Sequence, residues 1–205
     1  DMKLGSFLHF VLEKGVYYGF KEEREFVDLA KSLHREKDWE SVDLNEAEHL
    51  VRVFYYRNRG KFNSQSKTEQ KLRVKLGGLN FIGFADRIDF TPRGMEIIDY
   101  KTGRAQDPVL SRNWQLGYYA LAAGKKGRGH KITLDMLRHE KPLEFEIDEK
   151  GIARCVNSER TWFDLNEVEH ELVFTAREIE KAYQDEFKAC ARDKNCEFCE
   201  EWVYG

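Results

Sequence analysis

Two aspartates and a lysine occupy positions from which they can act together on a metal ion or a phosphate. Residues 83–90, where Ile88 and Phe90 alternate with polar neighbours, and residues 95–103, which begin with an apolar run, flank a turn that contains Thr, Pro and Gly. This pattern predicts a β-hairpin. Side chains two positions apart point to the same face of a strand, so Asp99 and Lys101 share a face that Asp86 can join. Mg²⁺ binds carboxylates, and a nearby lysine can offset charge on a phosphoryl oxygen. The competing interpretation is a solvated strand edge with an incidental ion pair.

Other motifs lie on both sides of this hairpin. Upstream, residues 5–9 (Gly-Ser-Phe-Leu-His) place His9 in a predicted helix; downstream, Gln115 and Tyr119 are one helical turn apart and can reach the same spot. In chain order the motifs are the helical histidine, Gly-x-x-Asp, Ile-Asp-Tyr-Lys-Thr-Gly and Gln-x-x-x-Tyr, within residues 4–123. This series resembles the RecB-like branch of the PD-(D/E)xK nuclease superfamily. Each motif alone is common, but all four in this order are a specific signal.

The resemblance implies an α/β fold with a restriction-endonuclease-like core, in which helices flank a central mixed β-sheet. Apolar periodicity predicts helices over 4–37 with breaks near Gly15 and Gly19, over 43–58 and 110–123, and from 164 onward, and strands over 69–76, 79–90, 95–101, 132–136 and 143–147. We expect a single domain of 205 residues, whose parts are a helical segment (1–60), a catalytic sheet and helix (69–147), and a long C-terminal helix with a cysteine-containing tail (160–205). The chain begins inside an ongoing pattern, so we expect a piece of a longer protein.

The resemblance also implies an activity. A member of this branch is expected to hydrolyse phosphodiester bonds in DNA with one or two Mg²⁺ or Mn²⁺ ions, as an exonuclease on DNA ends or single-stranded DNA in repair, recombination or nucleic-acid defence. The implied metal ligands are His9, Asp86, Asp99 and the Tyr100 carbonyl, of which the imidazole favours Mn²⁺. The implied catalytic set is Lys101, Asp99, Asp86, Gln115 and Tyr119. A helicase module, fused or associated, is an expected partner.

Two other functions compete with a nuclease. One is a catalytically inactive DNA-binding or scaffold domain of a helicase–nuclease complex, and the other is a purely structural interaction domain. The intact histidine, aspartates, lysine and glutamine argue against the first, since an inactive site usually loses one of them. The second leaves the converging acids without a role.

Charge is unevenly distributed along the chain. The net charge is −3, but residues 52–75 hold eight Lys or Arg against one acid, Glu69. Local positive potential attracts phosphate, whereas a solvated charged surface is the competing interpretation. The residues expected to contact DNA are Lys71, Arg73, Lys75, Arg87 and Arg104. Glu69 opens a predicted strand, and it is either an ordinary surface residue or, as in some relatives, a glutamate near the metal.

The cysteines and the hydropathy bear on cofactors and location. Mean hydropathy is −0.69 and no apolar run approaches a membrane span, so we expect a cytoplasmic protein without a membrane partner.

Three clustered cysteines have metal-ligand character: Cys190, Cys196 and Cys199. Many RecB-like nucleases hold an iron–sulfur cluster with a Cys-x2-Cys-x5-Cys tail, but this tail reads Cys-x5-Cys-x2-Cys. An iron–sulfur cluster, zinc and reduced thiols therefore remain as alternatives.

Overall fold

The structure is a computed structural model that describes residues 2–61, 66–91, 94–103, 114–124, 130–158 and 162–184. Arg104 and the three clustered cysteines, Cys190, Cys196 and Cys199, lie outside these residues. So does the start of the helix that we predicted from residue 110.

Five helices and seven strands make up the described chain. The helices are α1 (Met2–Tyr17), α2 (Glu23–His34), α3 (Leu44–Asn58), α4 (Trp114–Ala123) and α5 (Leu165–Gln184). The strands are β1 (Lys67–Leu76), β2 (Leu79–Thr91), β3 (Gly94–Lys101), β4 (Lys131–Met136), β5 (Leu143–Ile147), β6 (Ile152–Cys155) and β7 (Trp162–Asp164). Strands β6 and β7 were not predicted because four and three residues are too few for a periodic pattern.

The seven strands form one sheet in the order in which they occur along the chain. All neighbours pair antiparallel except β3 and β4, which are parallel and are connected through the helix α4. A parallel pair requires such a crossover, whereas the antiparallel pairs need only short turns. The result is the mixed α/β sheet with flanking helices that the sequence predicted.

A two-residue turn fixes the register of the first hairpin. Gly77 and Gly78 have φ of 53° and 89°, the left-handed conformation that a two-residue turn between twisted strands requires. Leu76 pairs with Leu79 directly beside the turn, and pairing continues to Lys67 and Ile88 without slipping. The turn therefore decides which residues of β1 face which residues of β2.

Helices α1, α2 and α3 pack into a layer that shares its core with β3. Phe7, Phe26 and Phe54 are fully buried there, and the rings of Phe54 and Tyr100 lie 5.1 Å apart. Aromatic rings contribute much of the burial energy of such a core. This packing holds α1, and therefore His9, against the sheet.

Gly15 lies directly against the ring of Phe26 in this layer. An ideal Cβ at Gly15 would overlap the ring of Phe26, so Gly15→Ala should destabilise the fold by about 1–3 kcal/mol, the usual cost of overpacking. Urea unfolding with a fixed m-value is the measurement. Gly5→Ala in the same helix is the control, since its Cβ would meet only the Thr102 hydroxyl at 3.1 Å. Equal stability of the two variants would contradict this account of the packing.

Contacts divide the chain into two units, Asp1–Glu169 and His170–Gly205, so α5 contributes to both. Apolar residues at helical spacing predict a buried stripe along this helix that includes Val168, Leu172, Ala176, Ile179 and Tyr183. Val168 is buried, but Ile179 and Tyr183 are exposed, so that prediction is wrong for the later turns. None of the helices in the described part of the chain is both long enough and apolar enough to span a membrane.

Candidate active site

His9 links the first helix to the strand that carries the lysine motif. Leu8 and Leu12 of α1 are buried, and this orientation leaves His9 at the edge of the helix, facing the sheet. Its Nε2 lies 2.9 Å from the carbonyl oxygen of Tyr100, and its Nδ1 lies 3.3 Å from Oδ1 of Asp86. A carbonyl only accepts hydrogen bonds, so Nε2 carries the hydrogen. In the neutral ring the Nδ1 lone pair then points toward Asp86.

Asp86 is held by the backbone of the neighbouring strand. Its Oδ2 accepts a hydrogen bond of 2.6 Å from the Tyr100 amide. Arg87 pairs with Ile98 in the ladder between β2 and β3, which places Asp86 beside Asp99. The two aspartates of the predicted set therefore lie together, as the hairpin pattern indicated.

Asp99, Lys101, Gln115 and Tyr119 form a closed ring of contacts between β3 and α4. Lys101 Nζ lies 2.7 Å from Asp99 Oδ2 and donates to Gln115 Oε1 at 2.9 Å. Gln115 Nε2 donates to the Tyr119 hydroxyl at 2.8 Å, and that hydroxyl lies 3.1 Å from Asp99 Oδ1. The hydroxyl also lies 2.8 Å from the Phe84 carbonyl, so its single proton serves one acceptor at a time. The structure thus brings all four predicted residues together.

The acids of the site are crowded and poorly hydrated. Asp99 is 1% exposed, and burial, followed by the charge of Asp86, raises its pKa although Lys101 opposes the shift. Burial lowers the pKa of His9, but the hydrogen bond and charge of Asp86 outweigh it and raise the pKa overall. Burial and the charge of Asp99 likewise raise the pKa of Tyr119, which stays protonated. Negative charge is therefore concentrated where a cation would be stabilised.

Glu69 completes a group of metal-ligand atoms. One ligand atom from each of His9, Glu69 and Asp86 lies within 4.8 Å of the other two. Loss of hydration, followed by the charges of Asp86 and Glu13, raises the pKa of Glu69. Of the two interpretations that the sequence left open for this residue, the structure favours a position at the metal group.

The backbone of Glu69 is unusual. Its φ is 48°, and among the described residues it is the one non-glycine residue with positive φ. Such a conformation costs of order 1–3 kcal/mol and persists only where the surroundings hold it. The register contained a signal for its position: pairing from the Gly77–Gly78 turn sets Thr68 opposite Arg87 and Gln70 opposite Ala85, so Glu69 falls opposite Asp86.

This donor set fits a divalent cation. Two carboxylates and a neutral imidazole nitrogen suit Mg²⁺ or Mn²⁺, and the nitrogen favours Mn²⁺. Asp99 is not in the group of three, and its carboxylate instead contacts Lys101 and the Tyr119 hydroxyl. The Tyr100 carbonyl, which we predicted to be a ligand, accepts from His9 and keeps a second lone pair.

The basic segment 52–75 is not one continuous DNA-binding surface. Arg52 and Arg57 are already paired within the fold, their acidic partners being Glu23 and Glu48 for the first and Asp135 for the second. In contrast, the side chains of three basic residues of β1 are exposed: Lys71, Arg73 and Lys75. Among the predicted DNA contacts that the structure describes, these three are available to a phosphate.

The prediction that Arg87 contacts DNA is wrong. Its side chain is 2% exposed, and its guanidinium donates to Asn58 Oδ1 at 3.0 Å, to the Tyr100 hydroxyl at 2.6 Å and to Asp89 at 2.8 Å. Side chains alternate along a strand, so Arg87 points to the opposite face from Asp86 and enters the core. There it positions the ring of Tyr100 instead of binding a phosphate.

Comparison with known proteins identifies the family. A search of curated protein sequences finds no match. Among solved structures, the crystal structure of SSO0001 is similar over 70% of this chain and 77% of its own, with 17% sequence identity and a TM-score of 0.34. A family model described as the PD-(D/E)XK nuclease superfamily matches residues 1–202. The chain therefore belongs to the PD-(D/E)XK nuclease superfamily.

Proposed function

We propose that this protein is a divalent-metal-dependent deoxyribonuclease of the RecB-like branch. The observation that carries the proposal is the convergence of His9, Glu69 and Asp86 within 4.8 Å, beside the pair that Asp99 forms with Lys101. Ligands of this kind, next to a lysine, suit phosphodiester hydrolysis. The family is a nuclease family whose members use divalent metals, and DNA is the substrate class that it suggests.

One set of residues would hold a cation, and Lys101 would contact the phosphate. His9, Glu69 and Asp86 would hold a Mg²⁺ or Mn²⁺ ion, with Asp99 at the adjacent position. The bound ion supplies a Lewis acid that polarises a phosphoryl oxygen and lowers the pKa of water. The Lys101 side chain is 40% exposed, so its ammonium faces the solvent from which a phosphate approaches.

Gln115 and Tyr119 act as positioning residues. Gln115 accepts from Lys101 and donates to Tyr119, so it fixes the ammonium on the side of Asp99. The Tyr119 hydroxyl then holds one oxygen of Asp99. Preorganised groups of this kind stabilise developing charge without having to move during the reaction.

We further propose action at DNA ends or on single-stranded segments in repair, recombination or nucleic-acid defence, alongside a helicase module that is fused or associated. What supports this part is the order of the four motifs, which is that of the RecB-like branch. The exposed bases of β1 support contact with a phosphate backbone: Lys71, Arg73 and Lys75.

Cleavage of end-labelled DNA tests the proposal. Single-stranded, double-stranded and circular substrates should be incubated with Mg²⁺, Mn²⁺ or a chelator, using the wild type, Asp86→Asn and the exposed control Asp28→Asn. We expect cleavage only with metal, loss in Asp86→Asn, and wild-type activity in the control. Binding without cleavage under every metal condition would favour the inactive scaffold domain. Cleavage of circles would contradict the exonuclease assignment.

Metal binding to Glu69 should be measurable as thermal stabilisation. Mn²⁺ at about 100 times its dissociation constant should raise Tm by about 5–10 °C, since a ligand at that level stabilises by about 2.7 kcal/mol. Glu69→Gln should lose at least half of this rise, because even the outer partners of metal ligands are worth about 10- to 100-fold in affinity. The exposed Glu40→Gln is the control. An undiminished rise in Glu69→Gln would remove Glu69 from the site.

A further inference from the structure

One face of the β1–β2 hairpin carries a row of exposed cross-strand pairs. Residues that pair in a ladder lie on the same face, and the three pairs, which we call the hairpin ladder, are Lys71 with Phe84, Arg73 with Ile82, and Lys75 with Asn80. All six side chains are exposed, including 54% of Phe84 and 56% of Ile82. Each rung therefore combines one positive charge with one neutral side chain.

The opposite face of the hairpin is already covered by α4. The Tyr118 hydroxyl donates to the carbonyl of Leu72 at 2.8 Å, and a Cβ at Gly83 would lie 2.5 Å from the Tyr118 ring. Gly83 therefore lies on the face that Tyr118 of α4 covers, and its lack of a side chain makes room for the ring. This packing leaves the hairpin ladder as the solvent side of an edge strand, because β1 has no neighbour beyond it in the described sheet.

The charge and the aromatic ring of the hairpin ladder match one kind of partner. Residues 70–84 contain three bases and no acid, so the face attracts anions. Lys71 Nζ lies 6.0 Å from the centre of the Phe84 ring, which places a cation against an aromatic surface. Basic side chains interleaved with an aromatic ring are the elements with which proteins bind single-stranded nucleic acid, because phosphates pair with the bases and nucleobases stack on the ring.

The hairpin ladder leads directly into the metal group. Phe84 is two residues from Asp86 on β2, a step of about 6.8 Å along an extended strand, and Lys71 is two residues from Glu69 on β1. Beyond the rung of Lys71 with Phe84, the register sets Glu69 opposite Asp86, although these two residues are not themselves paired in the ladder. A nucleic acid strand that lies along the hairpin ladder would place its next phosphate beside Glu69 and Asp86.

We propose that the hairpin ladder binds a single-stranded nucleic acid segment, with one base stacked on Phe84 and the phosphates on Lys71, Arg73 and Lys75. The stacked base sets the register of the strand relative to the metal group, so Phe84 is a positioning residue. This inference rests on the proposed nuclease function only in that the bound strand would be the one that is cleaved. The binding itself requires neither metal nor cleavage.

Equilibrium binding in a chelator tests the stacking. The probe is an oligothymidylate that contains a single 2-aminopurine, whose fluorescence is quenched when the base stacks, and a duplex of the same length is the comparison. Phe84→Ala should weaken single-strand binding roughly 5- to 150-fold, the scale of one lost stacked base, and should relieve the quenching. Phe84→Trp should keep both. The Phe84 carbonyl that meets Tyr119 is retained in each variant.

The controls separate stacking from charge. Trp162→Ala removes an exposed aromatic side chain at the opposite edge of the sheet and should leave binding unchanged. Arg73→Gln should lower the salt dependence by about 0.7 for each phosphate that the protein no longer neutralises, whereas Phe84→Ala should leave that slope intact.

Three results would overturn the inference. They are unchanged affinity in Phe84→Ala, an equal loss in Trp162→Ala, and equal losses for the single strand and the duplex. Because all binding is measured in chelator, a protein that binds through Phe84 without cleaving retains this inference while losing the proposed activity. A protein that cleaves without any effect of Phe84 on binding loses only this inference.

Discussion

Replacing Asp99 by asparagine should stop DNA cleavage and at the same time raise the Tm of the metal-free protein. Cleavage should fall by at least about a hundredfold, since even an outer partner of a metal ligand is worth about 10- to 100-fold. Stability should rise because burial and the charge of Asp86 raise the pKa of Asp99 above its ordinary 3.8, so the ionised form is disfavoured in the fold. A neutral amide of the same shape removes that cost.

The pH dependence of this gain has a defined sign. A carboxyl with a raised pKa binds more protons in the folded than in the unfolded state, so its contribution to stability falls as pH rises from 3.8 through the raised value. The advantage of Asp99→Asn should therefore be absent below pH 3.8 and grow as the pH rises through the raised value. Thermal unfolding across pH, with Asp28→Asn as the control, measures it. A variant that cleaves normally, or one that unfolds earlier at neutral pH, would show that Asp99 belongs to the scaffold.

Lys101→Ala should keep metal and DNA affinity and yet slow cleavage roughly a hundredfold or more, the scale of losing one preorganised electrostatic group. The lysine is 2.7 Å from Asp99 and 2.9 Å from Gln115, but 40% of its side chain faces solvent. Its packing role is therefore small. Single-turnover cleavage under saturating Mn²⁺ and DNA is the measurement, because it removes differences in binding.

The competing role of Lys101 is to neutralise two crowded carboxylates. In that case its loss weakens metal binding, and excess Mn²⁺ brings the single-turnover rate back to the wild-type value. Lys131→Ala is the matched control, since this lysine is 30% exposed and pairs with Glu96 and Glu144 away from the site. A slow Lys131→Ala variant would show that the rate reports general damage to the sheet.

Much of the candidate site was predictable because its geometry is local. Asp99 and Lys101 lie two positions apart on a strand, and Gln115 and Tyr119 lie one turn apart on a helix, so spacing alone determines that each pair shares a face. The Gly77–Gly78 turn fixes the register of the first hairpin in the same way. Motif order, not geometry, was what pointed to His9.

The sequence did not determine features that depend on distant partners. In the sequence Arg87 is a basic residue next to the Gly-x-x-Asp motif. Its contacts with Asn58 and Asp89 in the structure show that it is a core residue. Arg57 is likewise paired with Asp135, which is 78 positions away in the chain. Local charge patterns do not reveal such pairs, because a buried charge is stabilised by whatever the fold places beside it.

Because the register of the first hairpin does not shift, the position of its two acids depends on the lengths of β1 and β2. Glu69 and Asp86 are opposite one another only because seven pairs separate them from a turn of two residues. A single residue inserted into or deleted from these strands would shift the register by one and turn Glu69 toward the other face. Homologous chains can therefore lengthen the hairpin by equal additions to both strands, but not by odd insertions on one side. The two strand segments between the turn and the acids must therefore stay equal in length, whereas the length that they share can change.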